Sequence, residues 1–257
     1  MLPLILLFTA LGGVLSALAA SSFLLLTQPR RAMLLPRLVS FATGTLLGAA
    51  FLGLIPHALD ANGPDGAHRV GASLLFGILG FFLLEKFVLW RHCHDDPCEM
   101  HSPSDRTRDA ASARLILIGD ALHNVIDGVL IAAAFLTDPK LGIVTTVAVF
   151  AHEIPQEVGD LAILLNGGMS RRRAMTLNVA VSLTSIAGAV VAWYLLAQAL
   201  QWLPYAIAIA AASFLYVAVA DLIPGLHRRV DAKTSLQQVV LITLGIVVIA
   251  TTHNLAH

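Results

Sequence analysis

GDALHNVIDG (residues 119–128) and AHEIPQEVGD (residues 151–160) decide how this chain folds. Each lies inside a long apolar run, yet together they carry two histidines, an asparagine, a glutamine and five carboxylates. A charged side chain at the centre of a bilayer costs roughly 2.5–3.5 kcal/mol, so Asp127, Glu153 and Glu157 require a cation, water or a protein partner there. The pattern reads as a cation site inside a membrane.

Composition supports the membrane. The 257 residues are 57% apolar and 12% charged with mean hydropathy +0.80, whereas soluble domains run at about 45–50% and 25%. Crossing the hydrocarbon core takes about 20 residues per helix. Eight stretches meet that length, at about 3–27, 36–59, 70–91, 112–136, 141–167, 174–198, 203–225 and 235–256. The expected fold is therefore an all-α integral membrane protein with eight transmembrane helices in a single domain over residues 1–257. A formal net charge of zero gives no electrostatic basis for nucleic-acid binding. Ala17-Leu18-Ala19 resembles a signal-peptidase site. No Lys or Arg precedes Leu4, however, and the apolar run resumes through Phe23, so a retained first helix is expected.

Positive charge sets the orientation. Of 16 Lys and Arg residues, all but Arg69 and Lys140 fall on alternate connections, which the positive-inside rule assigns to the cytoplasm. Both termini are then extracytoplasmic, and in a bacterium the host would be the plasma (inner) membrane. The loop at residues 92–110, with His92, Cys93, His94, Cys98 and His101, falls on the cytoplasmic side. Thiols stay reduced there, and the Cys spacing does not match a zinc ribbon. A solvated linker and a weak metal-collecting loop are equally compatible with it.

Helical geometry groups the buried polar residues. Asp120, His123 and Asp127 share one face of the fourth segment, with Asn124 beside them. In the fifth, His152 and Gln156 form one column and Glu153 and Glu157 the next, followed by Asp160. Two columns on each helix suggest two neighbouring ion positions. Both clusters reach the midplane, and a short turn between Thr137 and Leu141 makes the two helices antiparallel neighbours, with Gly128 and Gly159 available for close approach. Pro155 removes the donor that the Ala151 carbonyl would otherwise have. Polar interruptions at the midplane are where transporters bind their cargo. Imidazole plus carboxylate suits Zn²⁺, with Fe²⁺, Mn²⁺, Co²⁺ and Cd²⁺ compatible and Ca²⁺ or Mg²⁺ poorly matched. HEIPQ nearly reads as a zincin motif, but Gln156 stands where the second His belongs. That makes an intramembrane metalloprotease a weak rival, and no enzyme is expected.

At these residues the chain resembles the ZIP (Zrt-, Irt-like) metal-ion transporters, in particular the branch whose fifth helix carries HEIPHE followed by LGD. GFFLLEKF (residues 80–87), GDALHNVIDGVLIAAAF, HEIPQEVGDLAILLNGGMSRRRA, LNVAVSLTSIAG and ASFLYVAVADLIP all carry the resemblance. It implies an inverted-repeat bundle with helices four and five central and divalent metal import to the cytoplasm through a binuclear site; no resident cofactor is expected, the metal being cargo, and a homodimer is compatible with the sequence. His123, Asp127, His152 and Gln156 would hold one ion; Asn124, Asp127, Glu153 and Gln156 would border the second. Export or exchange uses similar ligands, so the direction comes from the resemblance alone.

Three departures stand out: Gln156 replaces a His, Gly225 a Glu, and His57 a Glu. Gly53-Leu-Ile-Pro56 and Asp221-Leu-Ile-Pro224 echo one another in segments two and seven, consistent with an inverted repeat. His57 and Asp60 lie where incoming cations would enter, and Asp120, Glu157, Asp160 and His227 toward the cytoplasm, as candidate pathway residues.

Overall fold

The computed structural model describes residues 1–63, 66–93, 105–166, 168–227 and 231–255. Prolines open many of its helices, because the first turn needs no donor at that position: Pro3, Pro29, Pro56, Pro139, Pro204 and Pro224 all sit in first turns. The helices are α1 (Leu2–Gly12), α2 (Val14–Phe23), α3 (Gln28–Gly48), α4 (Ile55–Asn62), α5 (Ala67–Cys93) and α6 (Asp105–Thr137). They continue as α7 (Pro139–Asn166), α8 (Arg171–Ser182), α9 (Thr184–Leu196), α10 (Leu203–Tyr216), α11 (Ile223–Leu226) and α12 (Ala232–Leu255). No strand occurs among the described residues.

Among the described residues, seven helical stretches are long and apolar enough to cross a bilayer. The eighth rod is α7, whose 28 residues suffice in length but whose middle carries His152, Glu153, Gln156, Glu157 and Asp160. The all-α membrane bundle expected from the sequence is the fold observed.

Several rods are not regular. The first breaks at Gly13, between α1 and α2, and the sixth at Leu183, between α8 and α9. Wider π-helical turns at Ala49–Leu54 and Val217–Leu222 join α3 to α4 and α10 to α11. The irregularities repeat five rods apart, and so does the packing. α1 and α2 lie on α7 where α8 and α9 lie on α6; α3 pairs with α12 where α10 pairs with α5. If each rod crosses the membrane, rods five apart run in opposite directions, which makes the relation between the two sets of three an inversion. α6 and α7 lie between the two sets and pack on each other.

Close backbone contact secures α6 to α9. A Cβ on Gly128 would collide with the Ser185 carbonyl, and one on Gly188 with the Val125 carbonyl. Thr184 Oγ1 adds a 3.0 Å hydrogen bond to the Ala121 carbonyl. The sequence reading gave Gly128 and Gly159 to the α6–α7 contact; Gly128 serves α9 instead, and nothing lies within 4 Å of a Cβ at Gly159. The reason is the direction each glycine faces: Gly128 lies on the side of α6 turned to α9, and Gly159 on a side of α7 that meets no neighbour.

One end of the bundle is a dry apolar core. Leu54, Ile131, Phe135, Leu141, Val144, Ile207 and Phe214 pack there at 0% exposure. A smaller cluster at the arginine-rich end joins Ala20 and Phe23 of α2 and the following Leu24 to Val158, Leu161 and Leu164 of α7 and Ala174 of α8.

Candidate metal centre

The turn between α6 and α7 sets the site. It consists of Asp138 alone, whose Oδ1 accepts from the backbone N–H of Lys140 at 2.7 Å and of Leu141 at 3.3 Å, an N-cap followed by proline. From that turn α6 runs back to Asp127 and His123, and α7 runs out to His152 and Glu153. The sequence reading expected a turn reaching Leu141; helix α7 already begins at Pro139.

Side chains from both helices converge. One ligand atom from each of His123, Asp127, His152 and Glu153 lies within 4.8 Å of the others. His123 Nε2 is 3.3 Å from His152 Nε2 and 3.4 Å from Glu153 Oε1. Asp127 Oδ2 is 3.3 Å from His152 Nε2 and 3.8 Å from His123 Nε2, and His152 Nε2 is 3.8 Å from Glu153 Oε1. Four ligands held at about 2.0–2.1 Å in a tetrahedron lie about 3.3–3.4 Å from one another. The four side chains therefore need only small adjustments to enclose one ion.

The protonation pattern suits a ligand. His152 Nδ1 lies 3.0 Å from the Ala148 carbonyl oxygen, which can only accept, so Nδ1 carries the proton and Nε2 offers its lone pair. Both oxygens of Asp127 and both of Glu153 are buried without a hydrogen-bond partner. Anionic oxygens left in that state are strongly destabilising unless a cation meets them.

The remaining candidate residues fall around this centre. Asn124 is buried and donates to Asp120 Oδ1 at 2.9 Å, leaving its own Oδ1 unpartnered. Glu157 Oε1 accepts from Ser182 Oγ at 2.7 Å. Gln156 and Asp160 are half-buried and line a cavity of about 440 Å³ together with His123, Ser213, Tyr216 and Asp221. His57 sits on α4, its Nδ1 donating to the Gly53 carbonyl at 2.9 Å, and Asp60 is exposed. Cys98, His94 and His101 of the 92–110 loop lie outside the described residues.

All segments lining the cavity lie toward the end of the bundle that bears Arg171, Arg172 and Arg173. His123, with 21% of its side chain exposed, faces that opening, while His152 is sealed at 1% and its ring meets Phe214 edge-on at 6.0 Å. Reading the sequence alone missed Ser182 and Asn178 of α8, both fully buried. The signal was present: two polar residues four apart inside the apolar run LNVAVSL.

A helical membrane protein that gathers two imidazoles and two carboxylates on facing helices belongs to the class that handles divalent metal ions within the bilayer. The family described as ZIP zinc transporter matches residues 2–114 and 91–253, and the chain belongs to it. Zinc transporter ZIP13 of Pongo abelii is 34% identical over 230 residues, covering 83% of this chain and 65% of that protein. Zinc transporter SLC39A7 of Mus musculus is 30% identical over 325 residues, covering 92% and 67%. Zinc transporter zipt-7.2 of Caenorhabditis elegans is 29% identical over 296 residues, covering 92% and 63%. The chain spans about two thirds of the length of these relatives.

Proposed function

We propose that this protein transports divalent transition-metal ions, zinc foremost, into the cytoplasm through the centre between α6 and α7. The observation that carries the reading is the set of five ligand separations between 3.3 and 3.8 Å among His123, Asp127, His152 and Glu153. They suit a tetrahedral ion with two nitrogen and two oxygen donors, a set that favours zinc over magnesium or calcium.

In this reading Glu153 completes the first ion's shell. Gln156, on the cavity wall, serves with Asn124 and the shared carboxylates at a second position. Asp127 bridges the two. An ion leaves through the cavity past Gln156 and Asp160 toward the arginine-rich end, which the positive-inside rule makes cytoplasmic. The inward direction is supported by family membership, since the same ligands serve an exporter equally well. The protease reading finds no support in the relatives, whose names are those of zinc transporters.

Uptake of radiolabelled zinc, iron, manganese, cobalt and cadmium into vesicles of known orientation tests substrate and direction together. Zinc accumulation on the arginine-rich side is expected. Accumulation on the opposite side only, or none with any of the five metals, would overturn the proposal.

A further inference from the structure

We infer that Glu157, Asn178 and Ser182 form a separate, oxygen-lined cation site between α7 and α8 that takes a hard divalent ion of the Mn²⁺ type. Three observations carry it. Glu157 is 0% exposed, and only one of its carboxylate oxygens is met, by Ser182 Oγ at 2.7 Å; Oε2 has no partner. Asn178 is also 0% exposed, and both its Oδ1 and its Nδ2 are without a partner. Asn178 lies four residues before Ser182, so the two share one face of α8, the face that reaches Glu157. That face of α8 therefore holds an unmet amide about one helical turn from the Ser182 hydroxyl that meets the half-satisfied carboxylate. Oδ1 of that amide only accepts and cannot be relieved by a proton exchange, so it points to a cation, whereas Nδ2 only donates and calls for an oxygen acceptor such as a water held by the ion.

The surroundings select the ligand. Four carboxyl groups, Asp120, Glu153, Glu157 and Asp160, lie within this part of α6 and α7, a setting that a cation relieves and an anion does not. The pocket's donors are carboxylate, amide and hydroxyl oxygens, with no imidazole or thiolate among them. Such a shell suits manganese or magnesium rather than zinc. Ser21 of α2, 4% exposed with its hydroxyl unpartnered, lies in the helical turn that packs with Val158, Leu161 and Ala174, so a further oxygen borders the same region.

This site is distinct from the histidine centre. It lies one turn beyond Glu153 on α7 and draws on α8, which supplies nothing to that centre. The inference does not rest on the transport reading: Glu157, Asn178 and Ser182 are fully buried and lie off the cavity through which the ion is proposed to leave. Binding itself is independent of transport.

The test uses the full chain in lipid nanodiscs titrated with Mn²⁺ alone and read by electron paramagnetic resonance. Asn178→Leu and Glu157→Gln are each expected to remove one bound Mn²⁺ per chain. Asn178→Asp adds a negative ligand and should tighten that ion by about ten-fold. The Mn²⁺ lost in Asn178→Leu should persist in His152→Ala, whose zinc uptake separately tests the transport reading. Equal Mn²⁺ binding by the unaltered protein and Asn178→Leu would overturn the site, the pocket then holding only water, and would leave the transport reading standing. Where Asn178→Leu fails to fold, Asn178→Asp decides alone, and an unchanged Mn²⁺ affinity overturns the site.

Discussion

On the side of the histidine centre nearest Asp138, Ile131, Phe135, Leu141 and Ile207 fill the space between α6, α7 and α10 with no exposed surface; on the other side the same three helices part around a cavity of about 440 Å³. The backbone is helical on both sides. What differs is side-chain volume and polarity: large aliphatic and aromatic residues at one end, and Gly119, Ser213, Asp160 and Asp221 among those lining the other. One-sided access is thus a property of packing rather than of chain path. Such a closure is held by contacts that are individually weak and can re-form elsewhere. The two histidines lie at the boundary, one facing the cavity and the other enclosed.

The sharpest way to break this contrast is to remove what lies on the boundary. Asp127→Ala and His152→Ala should each reduce zinc uptake to background at matched expression. Near-normal uptake in either would detach the centre from transport. Next comes the closed end. Phe135 is fully buried, meets Phe8 at a ring separation of 5.1 Å and lies against Gly142. Phe135→Ala should destabilise the protein by about 3–5 kcal/mol, read as a lowered thermal midpoint in detergent. A drop no larger than that for an exposed position such as Leu195→Ala would show that this core is not well packed.

Accessibility sharpens the comparison. With Cys93 and Cys98 replaced by serine, Leu222→Cys on the cavity wall should react with a membrane-impermeant thiol reagent from the arginine-rich side. Ile131→Cys in the closed end should react from neither side. Equal labelling of both would erase the distinction between the ends. A smaller effect is expected at Gln156. An amide oxygen is a weaker donor to zinc than imidazole, so Gln156→His should raise the zinc-to-manganese preference several-fold in competition uptake, with maximal uptake unchanged or lower. An unchanged ratio would remove Gln156 from the ion's path. The least effect belongs to the loop: shortening residues 94–105 should leave uptake measurable.

Much of this was readable from residue spacing. His123 and Asp127 are spaced so that α6 presents both on one side, and an apolar chain has few other uses for two imidazoles and two carboxylates at one depth. The limits of some segments are legible too: 141–167 is expected where α7 runs over Pro139–Asn166, whereas the expected starts at 36 and 112 fall several residues inside helices that begin at Gln28 and Asp105, because hydropathy marks the apolar stretch and not the polar turns that extend it. The breaks at Gly13 and Leu183 were not legible. Neither residue type compels a break in an apolar helix, and the geometry there depends on the neighbours each rod meets. The partner of Gly128 was misassigned for a related reason: a glycine announces a close approach but not to which helix. Glu153 joined His123 rather than remaining in a separate column with Glu157, because spacing along α7 specifies its faces but not how far it is rotated toward α6.

That rotation is settled at Asp138. Most surface connections tolerate added residues because the elements they join are positioned by their own packing. Here a single capped residue fixes the phase of one ligand-bearing helix against the other. One residue inserted after Asp138 would turn α7 by about 100° and carry His152 and Glu153 away from His123 and Asp127, even though every ligand remained in the sequence and both helices could still form. The connection works as a ruler, and the composition of the centre has meaning only at the length that it sets.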